Sequence, residues 1–170
     1  MCLFRDTLND AVFTELMNRH YGPALQIAET RLFDKENAID AVQEAFVRIV
    51  RKRKRYDGRR FAPWFYAILR NICTDIIRKE MRRKQKHSQF QEACAAEPPP
   101  EATQNDDFDA LIASLSPLDR EALTLRYAAD LSVDEIAAQL DCSEAAAKKR
   151  VQRAIKHLRE KHVPGRRRET

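Results

Sequence analysis

The sequence predicts an all-α protein: two small helical domains joined by a flexible, acidic, Pro-rich linker, the second domain carrying a helix-turn-helix. Three observations lead there. Apolar residues recur at three- and four-residue spacing through most of the chain, the period of amphipathic helices. Only three glycines occur in 170 residues, which disfavours β-hairpins and any Gly-rich phosphate loop. The charge is segregated: residues 1–90 hold 19 Lys and Arg against 11 Asp and Glu, residues 91–110 none against six, and residues 111–170 12 against nine. Two basic blocks around an acidic strip read as two modules meeting a polyanion and a linker that does not. The expected boundaries are residues 10–87, 88–107 and 108–162.

Each element follows in order. Val12, Phe13, Leu16 and Met17 mark a first amphipathic helix, and Gly22-Pro23 is expected to interrupt it before Leu25, Ile27, Ala28 and Leu32. Asp34 is a plausible N-cap for a helix with Ile39, Val42, Phe46, Ile49 and Val50 on one face. A basic run from Arg48 to Arg60 is broken by a turn at Tyr56-Asp57-Gly58. Phe61, Phe65, Ile68, Leu69, Ile72 and Ile76 define a long helix that runs on into the basic segment after Arg78. Pro98-Pro99-Pro100 disfavours helix and favours an extended linker.

The C-terminal block is more legible. Leu111, Ile112 and Leu115 end a short helix. Ser116-Pro117 supplies an N-cap and a first-turn proline, and Leu118, Ala122 and Leu125 continue the next one. Ser132 and Glu135 form a capping box that opens a helix with Ile136, Ala137 and Leu140. Asp141-Cys142 breaks it, with Asp141 where a left-handed residue is needed. Ser143 then caps a last helix with Ala147, Val151, Ala154, Ile155 and Leu158 inward.

Several function classes are excluded at this level. No run of about 18 uncharged apolar residues exists, so membrane insertion is not expected. Arg5 and Asp6 stand where a signal peptide would be apolar, which points to a cytoplasmic protein. Cys2, Cys73, Cys94 and Cys142 form no C-x-x-C pair, so reduced thiols and no metal site are the expectation. The four histidines are scattered and read as solvated. No constellation suggests a catalytic residue, an enzyme activity or a cofactor.

Three sets of residues point to binding. The last helix presents Glu144, Lys148, Lys149, Gln152, Arg153 and Lys156 outward, donors long enough for phosphates and base edges. The plainer alternative is a solvated helix with cations favoured near its C-terminus. Trp64-Phe65-Tyr66 opens a helix after a basic run, and one helix buries only part of a consecutive triplet. Phe65 falls on the buried stripe; Trp64 or Tyr66 remains for single-strand stacking beside Arg59, Arg60 and Arg70. Asp40, Gln43, Glu44 and Val47 share one helix surface, which is either a protein-docking face or simply solvated.

The runs DAVQEAFVRIV, FAPWFYAILRNICTDIIRKEMRR and LSPLDREALTLRYAADLSVDEIAAQLDCSEAAAKKRVQRAIKHLRE resemble the extracytoplasmic-function (ECF, group IV) class of sigma-70 family sigma factors. The resemblance covers about residues 10–87 and 108–161 in the family's order. It implies a protein that binds core RNA polymerase, recognises promoter DNA and opens it. It implies docking of Asp40, Gln43, Glu44 and Phe46 on the polymerase clamp helices. It assigns Asn71 and Asp75 to a flipped-base pocket of the minus-ten element, supported by Trp64, Arg70, Arg78 and Lys79. It assigns Lys148, Lys149, Gln152 and Arg153 to the minus-thirty-five element and Arg150 to backbone phosphate. An anti-sigma factor is implied as a further partner, and the acidic linker is implied to thread the RNA path. One departure stands out: Ser143-Glu144-Ala145-Ala146-Ala147-Lys148-Lys149-Arg150 replaces the family's frequent Gly-Thr-Val and Lys-Ser-Arg, so the promoter sequence read is expected to differ.

Overall fold

The computed structural model describes residues 9–88, 112 and 114–162, and the chain divides into two compact units, residues 1–99 and 100–170. Among the described residues every regular element is helical. The N-terminal unit contains α1 (Asp10–Leu32), α2 (Lys35–Lys52), a 3-10 turn (Arg53–Arg55) and α3 (Phe61–Ser88). The C-terminal unit contains α4 (Pro117–Tyr127), α5 (Val133–Leu140) and α6 (Glu144–His162). The expected acidic linker lies outside the described residues, apart from Ser88.

In the N-terminal unit the three α-helices pack on one another. Ala24, Ala28, Ala38, Ala41 and Ala45 are all at most 1% exposed, and side chains this small let helix backbones approach closely. Asn9 caps α1, its Oδ1 accepting from the backbone N–H of Ala11 and Val12. Asp34 caps α2 as expected, accepting from Asn37 N at 2.8 Å. Phe33, in the left-handed region at φ 54°, lets the chain turn between the two helices.

The expected break at Gly22-Pro23 does not occur: α1 runs unbroken with Pro23 inside it. A proline in a helix interior costs about 3 kcal/mol. Burial on both sides of it, at Leu16 and His20 before and Ala24, Ile27 and Ala28 after, overrides that cost. His20 corrects a second expectation. It is not solvated but 5% exposed, with its ring centroid 5.3 Å from Phe61, 5.7 Å from Phe65 and 5.9 Å from Tyr66. Its Nδ1 lies 3.4 Å from the Tyr66 hydroxyl. Burial, aided by the charge of Arg19, lowers its pKa to about 4.

The basic run after α2 is pinned from within. Tyr56 is 2% exposed, its ring centroid is 5.1 Å from Trp64, and its hydroxyl donates to the Arg59 carbonyl. Gly58, at φ 83°, takes the turn that follows, a conformation side chains resist.

The C-terminal unit is built on aliphatic residues. Ile112, Leu115, Leu123 and Ala154 form a cluster against which Ile155 and Leu158 pack. Ser116 caps α4 through Asp119 N. Leu118 departs from expectation: it is 50% exposed, because Asp119, its neighbour, takes the inward position at 5%. Arg120 ties down the segment before α4 by donating to the Ile112 carbonyl at 3.1 Å and the Leu115 carbonyl at 3.4 Å. The α5–α6 turn is the helix-turn-helix as read. Glu135 accepts from Ser132 N at 2.8 Å and closes the capping box, and Asp141 is left-handed at φ 50°, ψ 54°. Ser143 Oγ accepts from Ala146 N to start α6.

Candidate functional site: nucleic-acid and protein interfaces

On α2, Asp40 and Gln43 are exposed and Glu44 is half-buried, bound to Arg48 at 2.7 Å. Val47, also exposed at 41%, continues this face. Phe46 does not. It is 4% exposed, with its ring centroid 4.9 Å from Phe65, so it belongs to the core instead of projecting as a contact. Helical geometry explains the correction, since residue 46 falls on the same stripe as buried Val42 and Ile49. Phe46 lines an apolar groove of about 390 Å³ together with Phe13, Met17, Tyr21, Gln43 and Val47. The α1 residues of that groove were legible as an i, i+4 pair, Phe13 and Met17, but not as neighbours of Gln43.

On α3 the Trp64-Phe65-Tyr66 triplet resolves clearly. Phe65 and Tyr66 are buried at 0% and 2%, while Trp64 stays half-buried against Tyr56 and Phe61. Burial raises the pKa of the Tyr66 hydroxyl well above its ordinary value. Trp64 is therefore the ring of the three with a face near solvent. Asn71, Asp75, Arg78 and Lys79 are exposed. At about 100° per residue, Trp64, Asn71, Asp75 and Arg78 fall on one stripe of α3, with Lys79 at its edge. Arg70, half-buried, lies about 100° round the helix from Asn71 and is not brought to that stripe.

On α6, Lys148, Lys149, Gln152, Arg153 and Lys156 are exposed, and Ala147, Val151 and Ala154 hold the opposite face in the core. Arg150 is half-buried, its Nη1 donating to Cys142 Sγ at 3.3 Å across the helix-turn-helix turn. Arg153 is held from another helix. Its Nε and Nη2 donate to the two carboxylate oxygens of Asp119 at 2.7 and 2.6 Å. Burial pushes the Asp119 carboxyl up, but the bonds from Arg153 and Ser116 and the charges of Arg153 and Arg150 outweigh it and hold it below its ordinary value. The same bond and charge raise the pKa of Arg153. Residue-by-residue reading of the sequence had no means of finding Asp119, which stands 34 residues away.

Among the described residues no group of three or more His, Cys, Asp or Glu is arranged to hold a metal, and no helix is long and apolar enough to cross a membrane. A helix-turn-helix with a basic outer face, in a chain that also holds a separate helical unit, is an arrangement used by DNA-binding proteins. Comparison with known proteins narrows the class. The family model Sigma-70 region 2 matches residues 16–83 and Sigma-70 region 4 matches residues 105–158. The chain is 33% identical over 163 residues to RNA polymerase sigma factor CarQ of Myxococcus xanthus, covering 92% of each. It is 28% identical to ECF RNA polymerase sigma factor SigE of Mycolicibacterium smegmatis, over 86% of this chain but 60% of that one. Among solved structures it resembles the sigma factor RpoE of Bartonella quintana, crystallised with the anti-sigma factor NepR. That match has a TM-score of 0.62 at 26% identity and covers 87% of this chain and 94% of that one. CnrH, solved with the cytosolic domain of CnrY, shares the fold at a TM-score of 0.53 and 23% identity, over 91% of this chain and 89% of that one. The chain belongs to the ECF class of the sigma-70 family. Its family role is promoter recognition and transcription initiation with RNA polymerase.

Proposed function

We propose that the two units divide the work of promoter opening as follows. Asp40, Gln43 and Glu44 on α2 dock on core RNA polymerase, with Phe46 supporting that face from beneath. Asn71 and Asp75 on α3 receive an unstacked base of the minus-ten element, Trp64 stacks beside them, and Arg78 and Lys79 hold the strand's phosphates. Arg70 is the weakest member of this set, because it lies off the stripe. On α6, Lys148, Lys149, Gln152 and Arg153 meet the minus-thirty-five duplex and Arg150 its backbone. The observation that carries this reading is the pair of exposed faces, one acidic and amide-bearing on α2, one basic on α6, in units that match regions 2 and 4 of one family.

Binding energy alone drives this process. Stacking and a base pocket offset unpairing that costs a few kcal/mol per base, and no residue acts as a catalyst. The site of action is the cytoplasm, where polymerase and DNA are. An anti-sigma factor is the proposed regulator. Permanganate footprinting with core polymerase tests the central step. Unpaired thymines downstream of the minus-thirty-five element are the expected result; duplex protection without them would identify an ordinary helix-turn-helix regulator. In the same assembly, Glu44→Ala should weaken polymerase docking about tenfold. Lys149→Ala should leave docking intact and lower the salt slope of promoter binding by about one. Equal losses in both readouts for both variants would overturn the division of labour.

A further inference from the structure

The guanidinium of Arg153 is held along one edge only. Asp119 takes Nε and the neighbouring Nη2, and its own side chain is 7% exposed whereas that of Arg153 is 57% exposed. A guanidinium has five N–H donors in a plane, and this side-on pairing uses two. The end-on fork, the outer N–H groups of Nη1 and Nη2, is left over. Two short bonds to a buried carboxylate fix the plane of the fork before any ligand arrives. That carboxylate is itself locked, sitting in the first turn of α4, where the helix dipole favours an anion and Ser116 Oγ caps its backbone N–H.

We propose that Asp119 is a positioning residue that aims the Nη1–Nη2 fork of Arg153 at the O6 and N7 acceptors of one guanine in the upstream promoter element. This rests on the reading of α6 as the helix that meets that element. A phosphate is the other acceptor pair the fork could fit, and charge decides between them. Asp119 cancels most of the long-range attraction of Arg153 for a phosphate while leaving its directional donors intact. A neutral base edge is selected by donor geometry, not by net charge. Lys148 and Lys149, which have no such counter-ion among the described residues, are better suited to phosphate.

The test uses the full chain assembled with core RNA polymerase on promoter duplexes carrying every single base-pair change in the upstream element. The unaltered protein should prefer G·C at one position by about tenfold or more. Arg153→Lys keeps the charge and loses the fork; it should abolish the preference at that position and leave the others. Asp119→Asn should weaken the same preference several-fold, and should add nothing once Arg153 is Ala. A purely structural role for Asp119 predicts instead an equal loss on every duplex, and that result would overturn the proposal. An Arg153→Ala variant that binds all duplexes equally less well, with a reduced salt slope, would assign the fork to phosphate and overturn it too. If Asp119→Asn does not fold, Asp119→Glu, which keeps the charge and displaces the carboxylate, takes its place: a selective loss of the G·C preference supports the aim, and an equal loss on every duplex overturns it. Failure of the underlying reading looks different: Lys149→Ala and Gln152→Ala would then leave use of every duplex unchanged.

Discussion

The two units of this protein solve the same problem with different materials. The N-terminal unit is held by rings: His20, Phe46, Tyr56, Phe61, Phe65 and Tyr66 touch one another between helices of 18 to 28 residues. Among the described residues the C-terminal unit has no aromatic in its core cluster, and its helix α5 has only eight residues. It is tied by polar bonds from arginines: Arg120 to the Ile112 carbonyl, Arg126 to the Leu131 carbonyl and Arg153 to Asp119. Aromatic packing stabilises through buried area and does not depend on bonds from the exposed side chains of α2 and α3. One of the polar ties, that of Arg153, uses a side chain proposed to face DNA, so at that position stability and recognition would share a residue. That sharing makes Arg153 a candidate reader and a brace at once.

The comparison breaks most readily at Phe65, which is fully buried among the rings. Phe65→Ala should destabilise the N-terminal unit by about 4 kcal/mol. Chemical denaturation followed by hydrogen exchange should show the loss in α1–α3 and none in α4–α6. Protection lost equally in both units would mean the rings are not a separate core.

Acid should also separate the units. His20 is neutral when folded, with its pKa lowered to about 4, and takes up a proton near 6.5 when unfolded. The unfolded state therefore binds more protons between those values. The stability His20 contributes is present in full above pH 6.5 and is lost as pH falls towards 4. The loss is about 3 kcal/mol at most. Melting of the N-terminal unit at stepped pH checks this, and His20→Phe should flatten the slope. Asp119 behaves in the same sense but later: with its pKa lowered, its contribution is present above the ordinary carboxylate range and is lost only as pH falls below it. The N-terminal unit should thus weaken first on acidification.

The smallest effect sharpens the view of the helix-turn-helix. Asp141 is left-handed, a conformation that costs a non-glycine residue about 1 kcal/mol. Asp141→Gly relieves the strain but adds chain entropy to the unfolded state, so the net gain should be about 0.5 kcal/mol or less. Thermal melting of the C-terminal unit measures it. A loss of stability would mean the Asp141 side chain itself holds the turn.

Much of the fold was legible because it is written in local chemistry. The caps at Asp34, Ser116 and Ser132, the left-handed Asp141 and the apolar stripe of α6 each depend on residues within a few positions of one another. Errors arose where distant burial outweighed a local signal. Pro23 sits inside a helix because Ala24, Ile27 and Ala28 are buried beside it. His20 is in the core because α3 brings three rings to it. The burial of Phe46, by contrast, follows the local stripe of Val42 and Ile49.

By itself the sequence determined that the chain is helical, that it is divided by an acidic strip, and which exposed residues could meet polyanion. Periodicity, capping and charge are properties of neighbouring residues, so no fold is needed to read them. Only the tertiary structure decided which ring of Trp64-Phe65-Tyr66 stays near solvent, and that Tyr56 is an anchor and not merely a turn residue. It alone paired Asp119 with Arg153. Those outcomes depend on which surfaces meet across tens of residues, where burial and ion pairing act through space and leave no periodic trace in the chain.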